Sequence, residues 1–176
     1  VQLLPGQVLV GGHARVAVHS ADGDVSATFK APGKQATLVG TTSSANMINL
    51  ATEAQNGVFG LNLNGAFYNG VFGLNNERVV INSNTITGAK NDGVYLFHNG
   101  ATPVTSSFLW IQRNTVTGNG GDGIDVTNVV SEGVAITQTV QIEQNTADGN
   151  FFDGIVVYNR AVSSGSVISQ TAIIND

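Results

Sequence analysis

The stretch NTITGAKNDGVYL, residues 84–96, decides the fold because the chain says it again: NTVTGNGGDGIDV starts at Asn114 and NTADGNFFDGIVV at Asn145. A degenerate earlier copy, LNLNGAFYNGVFG, starts at Leu61. The Asx-Gly pairs keep step through Asn69-Gly70, Asp92-Gly93, Asp122-Gly123 and Asp153-Gly154. A unit of about 23 residues, lengthened by loops such as HNGATPVTSS and NVVSEGVAITQ, has the length of one solenoid turn, and solenoids tolerate inserts of variable length.

Inside each copy the apolar residues alternate with period two. Ile81, Ile111 and Ile142 precede the Asn; Ile86, Val116 and Ala147 follow it; Val94/Leu96, Ile124/Val126 and Ile155/Val157 follow the Asx-Gly pair. That period predicts strands, with Gly88, Gly118 and Gly149 at the corners where two strands meet. A strand with one apolar face is not stable alone. Stacking equivalent strands in parallel, about 4.8 Å apart, buries a continuous stripe and pairs the backbone. Asn84, Asn114 and Asn145 then fall one above another at a bend, and the pattern predicts a structural ladder of side-chain amides.

The pattern N-x-I-x-G followed by D/N-G-I-x-V resembles the PbH1-type repeat of the right-handed parallel β-helix, found in pectate-lyase-like proteins and in bacterial autotransporter passengers. The resemblance covers roughly residues 57 to 160. It implies an all-β fold, a right-handed parallel β-helix of about six to seven coils with three short strands per coil. Residues 1–176 are read as a single domain, with 1–35 as an N-terminal cap or first coil and 36–176 as stacked coils. The VQLLPGQ start and VISQTAIIND end lead us to expect a segment of a larger protein.

Composition narrows the function. Hydrophobic residues make up 41% and charged residues 11%, so Asn, Thr, Ser, Gln and Gly must cover much of the surface. Seven Lys and Arg against twelve Asp and Glu give a net charge of -5, which disfavours nucleic acid as a partner. Cysteine is absent, which excludes disulfides, thiolate metal sites and a cysteine nucleophile. No apolar run approaches the roughly 20 residues a membrane-spanning helix needs, so this segment is expected not to span a membrane.

If Val94 and Leu96 point inward, Tyr95, Phe97, Asp125, Thr127 and Tyr158 point outward on one sheet, with His98, Asn128, Asn159 and Arg160 expected at its rim. Aromatic rings, a carboxylate and a guanidinium on one face suit sugar rings and hydroxyls, so Tyr95, Phe97, His98, Asp125, Tyr158 and Arg160 are the candidate ligand-binding residues. Asp122 and Asp125 are the candidate catalytic carboxylates for glycoside hydrolysis. GGDGIDV is similar to the strand-leading GDD of polygalacturonase-type hydrolases, but the Asn-Thr-Asp, Gly-His-Gly and Arg-Ile-Lys elements of that family are missing. Asp92, Asp122 and Asp153 share one step of successive coils, which makes them the candidate Ca2+ ligands; Asp before Gly is equally an ordinary turn choice. Trp110 is expected to point outward, as are Thr85, Thr87, Thr115 and Thr117 on another strand.

The resemblance to autotransporter passengers implies a secreted or cell-surface, adhesin-like segment for structural display and recognition, located outside the cell or on a bacterial surface. The alternative is a carbohydrate-active enzyme, a polysaccharide hydrolase or lyase, or a polysaccharide-binding module of the pectate-lyase-like superfamily. Expected partners are a polysaccharide, a host or cell-surface glycan or protein, or a second copy meeting the coil ends.

Overall fold

The computed structural model describes residues 1–12, 15–19, 26–30, 33–40, 45–100 and 106–175, with backbone alone for 15–19 and 26–30. The chain opens with β1 (Val8–Val10), then an antiparallel hairpin of β2 (Arg15–His19) and β3 (Ser26–Lys30). Four coils of three strands follow. They are β4 (Ala36–Val39), β5 (Ile48–Asn49) and β6 (Gln55–Phe59); β7 (Leu61–Asn64), β8 (Val71–Leu74) and β9 (Arg78–Asn82); β10 (Thr85–Thr87), β11 (Val94–Asn99) and β12 (Ser107–Gln112); and β13 (Thr115–Thr117), β14 (Ile124–Val130) and β15 (Ala135–Glu143). The last described coil keeps a single bridge at Thr146 in place of its first strand, then β16 (Ile155–Ala161) and β17 (Val167–Asn175).

Equivalent strands stack in parallel into three sheets: four-stranded β4-β7-β10-β13, five-stranded β5-β8-β11-β14-β16, and six-stranded β1-β6-β9-β12-β15-β17. Each coil visits them in that order, and crossovers between parallel strands take the right-handed sense. The six-stranded sheet marks six tiers among the described residues.

The core is the set of inward alternates in register. Val58, Ile81, Ile111 and Ile142 form one fully buried column; Leu63, Ile86 and Val116 form another; Val71, Val94 and Ile124 a third. Each such aliphatic side chain contributes about 1.5–3 kcal/mol by leaving water. The corner from the six-stranded to the four-stranded sheet is a single left-handed residue per coil: Gly60 at φ 62°, Ser83 at 58°, Arg113 at 55° and Gln144 at 54°. Only glycine takes that conformation freely, so the other three are held there by the strands on either side.

Candidate functional site

Three polar columns edge the sheets that carry the candidate residues. In the first, the Asn84 Oδ1 accepts the Leu61 N–H at 3.0 Å, Asn114 Oδ1 accepts the Asn84 N–H at 2.9 Å, and Asn145 Oδ1 accepts the Asn114 N–H at 2.9 Å. Their Nδ2 groups donate to the carbonyls of Val58, Ile81 and Ile111. The side-chain oxygens thereby satisfy backbone N–H groups just past the left-handed corner, while the Nδ2 groups tie them to carbonyls of the strand before it. A second column, not anticipated above, begins at Ala89, whose N–H donates to Asn119 Oδ1; Asn119 N–H donates in turn to Asn150 Oδ1. Its sign in the sequence is the Gly-Asn at 118–119 and 149–150, five residues after each ladder Asn.

The third column runs Asn46, Asn69, Asp92, Asp122, Asp153. Here each side chain accepts the backbone N–H of the following coil: Asn69 N–H to Asn46 Oδ1 at 3.1 Å, Asp92 to Asn69 at 3.1 Å, Asp122 to Asp92 at 2.8 Å and Asp153 to Asp122 at 2.7 Å. The candidate Ca2+ residues thus stand in one file, with Asp92 and Asp122 each using an oxygen as a backbone acceptor. Among the described residues no three acidic or histidine side chains gather around one point.

Three residues beyond each member of that column, the outer face of the five-stranded sheet begins. Phe72, Tyr95, Asp125 and Val156 stand in register, and beside them Leu74, Phe97, Thr127 and Tyr158. The Phe72 and Tyr95 ring centroids are 5.8 Å apart, and Tyr95 stacks on Phe97 at 5.8 Å with 19° between ring planes. Phe72, from the degenerate first copy, was not among the expected residues, although it keeps the same distance from its Asx-Gly pair as Tyr95 does. The Thr127 hydroxyl donates to Asp125 Oδ1 at 2.6 Å. Burial, and then the negative charges of Asp92 and Asp122, push the Asp125 carboxyl up to about 6, against the hydrogen bond from Thr127. Burial likewise raises Asp92, and burial with the charges of Asp125 and Asp92 raises the Tyr95 phenol. Tyr158 is exposed beside Thr127, and Arg160 is exposed at the far end of the same face.

His98 is a correction. It was expected at the rim, but β11 runs on to Asn99 because its partner β14 is seven residues long, and alternation carries His98 inward with Val94 and Leu96. It is 1% exposed. Its Nε2 lies 3.0 Å from the Asn76 carbonyl and its Nδ1 3.2 Å from Gln138 Nε2. An amide nitrogen only donates, so Nδ1 accepts and Nε2 carries the hydrogen. Burial lowers the His98 pKa, so the ring is neutral. Asn128 is buried too, donating to Gln138 Oε1 at 3.0 Å and Asn159 Oδ1 at 2.7 Å, whereas Asn159 is exposed. Trp110 does face outward on the six-stranded sheet, half-buried; residues 101–105 of the loop before it lie outside the described residues. A cavity of about 240 Å³ between Leu38, Met47 and Phe67 carries none of the candidate residues.

No helix among the described residues is long and apolar enough to cross a membrane. No curated protein and no solved structure matches the chain. The sequence profile described as "Right handed beta helix region" matches residues 16–173, nearly the whole chain. With parallel strands stacked into three sheets and the polar columns at their corners, the chain belongs to the right-handed β-helix family.

Proposed function

We propose that the chain is a recognition segment of a secreted or cell-surface β-helix, adhesin-like in role, whose five-stranded sheet presents carbohydrate with a face of aromatic rings and hydrogen-bonding groups. The observation that carries this reading is the Tyr95 ring set against both Phe72 and Phe97, with Tyr95 and Phe97 in register with Asp125 and Thr127. Rings held by a sheet lose little freedom on binding, and their faces suit the apolar face of a sugar while the carboxylate and hydroxyl take its hydroxyl groups. A sparsely charged surface and a stacked repeat that lengthens into a rod also support display outside the cell. The test is a glycan array: wild type is expected to retain at least one carbohydrate class, and Tyr95→Ala to lose it by about tenfold or more. No bound class at all rejects the reading.

One observation favours a second reading, glycoside hydrolysis. Asp125 is a carboxyl raised to about 6, partly by the charge of a second carboxyl group, Asp122, and glycoside hydrolysis uses two carboxyl groups. A reducing-sugar and unsaturated-uronate assay on neutral and acidic polysaccharides, with and without Ca2+, decides it. Turnover abolished in Asp122→Asn and Asp125→Asn would make the protein an enzyme.

A further inference from the structure

Around Tyr95 and Asp125 the aromatic face is also an acidic one. The charges acting on Asp125 are those of Asp92 and Asp122, and those acting on Tyr95 come from Asp125 and Asp92. From the strands on either side Asp125 meets Tyr95 on β11 and Val156 on β16, with Tyr158 one position along. No cation is among the charges acting on Asp125 or Tyr95. Lys90 Nζ lies 4.1 Å over the Phe67 ring, Arg78 lies over Phe108, Arg113 donates to Gln144, and Arg160 stands beside Val129 at the far end of the face.

The fold does not require this negative charge. Asn46 and Asn69 make the same hydrogen bond, in the same column, that Asp92 and Asp122 make two coils on. An amide at either position would keep the bond and remove the repulsion between like charges. Asp92 and Asp122 stand where amides would serve structurally, and their charges act on Asp125, which lies in register beside Tyr95. A ring face combined with a carboxylate is the chemistry that holds an organic ammonium group. The same face repels uronates.

Resting on the carbohydrate reading above, we propose that this face selects glycans bearing protonated amino groups, an ammonium being seated between the Tyr95 ring and the Asp125 carboxylate. Asp125 ionises near pH 6 and the amine of an amino sugar loses its proton above that, so the interaction is strongest between those two values and weakens at pH 5.

Calorimetric titration with a chitosan oligosaccharide, its N-acetylated chitin counterpart and an oligogalacturonate, at pH 5 and pH 6.5, tests this. The amine-bearing oligomer is expected to bind about tenfold more tightly than either of the others at pH 6.5. That preference should shrink at pH 5 and in Asp125→Asn, with the fold of the variant checked by circular dichroism. Acetylated sugar bound as tightly as the amine, or uronate bound more tightly, overturns the selectivity and leaves the carbohydrate reading standing. Failure of all three ligands, together with a blank glycan array, removes both. Tyr95→Ala keeps every carboxylate, so undiminished binding of the amine in that variant would reveal diffuse charge attraction and reject the proposed seat.

Discussion

At the scale of single residues, the two kinds of ladder respond differently to substitution. Asn114→Ala leaves the buried Asn84 N–H without its partner and removes a second donor from the Ile81 carbonyl, and is expected to cost about 2 kcal/mol in urea unfolding. Asp122→Asn keeps an acceptor for the Asp153 N–H and relieves repulsion from Asp92, so it is expected to be neutral or slightly stabilising, whereas Asp122→Ala costs about 1 kcal/mol. Two other groups set the pH response, with opposite signs. His98 is held neutral in the fold while the unfolded chain takes up a proton near 6.5, so its contribution falls as pH drops below that value. Asp125 binds its proton near 6 in the fold but near 3.8 when unfolded, so its contribution rises as pH falls between those values. Asp125→Asn is therefore expected to raise stability at pH 7 by about 1 kcal/mol, after allowance for solvent screening of a half-exposed carboxyl, and to leave it unchanged near pH 4. Melting temperature against pH, measured on both proteins, checks the sign.

At the scale of elements, the corner after each strand of the six-stranded sheet decides where the next one starts. Gly60→Ala is expected to cost about 1 kcal/mol because its φ of 62° admits a Cβ only with strain, while Ser83→Gly at the equivalent corner relieves that strain and is neutral or stabilising. Thermal melts should show Gly60→Ala lowered and Ser83→Gly not lowered. The strands themselves were legible, since alternation around Val94, Leu96, Ile124 and Val126 matches the register observed. The glycine corners were legible too. The left-handed conformation at Ser83, Arg113 and Gln144 was not, because those residue types carry no turn signal and the flanking strands impose the geometry. His98 was misread for a related reason: strand ends are set by the neighbour's length, which one strand's own residues do not report. The ring face was found from Tyr95 and Phe97, but Phe72 was passed over because its copy of the repeat is degenerate.

At the scale of the whole molecule, each tier touches chiefly the tiers beside it, so a cavity in a central column is felt on both sides. Ile111 lies between Ile81 and Ile142, all three fully buried, and Ile111→Ala is expected to cost about 3–4 kcal/mol. An unchanged dependence on urea concentration would show that the described coils still unfold as one unit; a shallower one would show the stack dividing at that tier. The general architecture was readable from periodicity. The antiparallel hairpin β2-β3 was not, since ARVAVHS alternates like any coil strand and its pattern does not distinguish pairing with a neighbouring rung from pairing with itself.

The opposed directions of the polar columns give the stack an arrow. The Asn84 column receives its hydrogen from the coil before, and the Asp92 column from the coil after, so a coil fits between two others in one orientation only. Any coil that carries both marks is interchangeable as a building unit. A tandem copy of residues 114–144 placed ahead of Asn145 would meet Asn114-type and Asp122-type partners above and below, and should lengthen the rod by one rung of about 4.8 Å with every amide still engaged. Growth by duplication of such a segment thus needs no new corner and no new cap, which makes the length of the rod a quantity that this fold adjusts in equal steps.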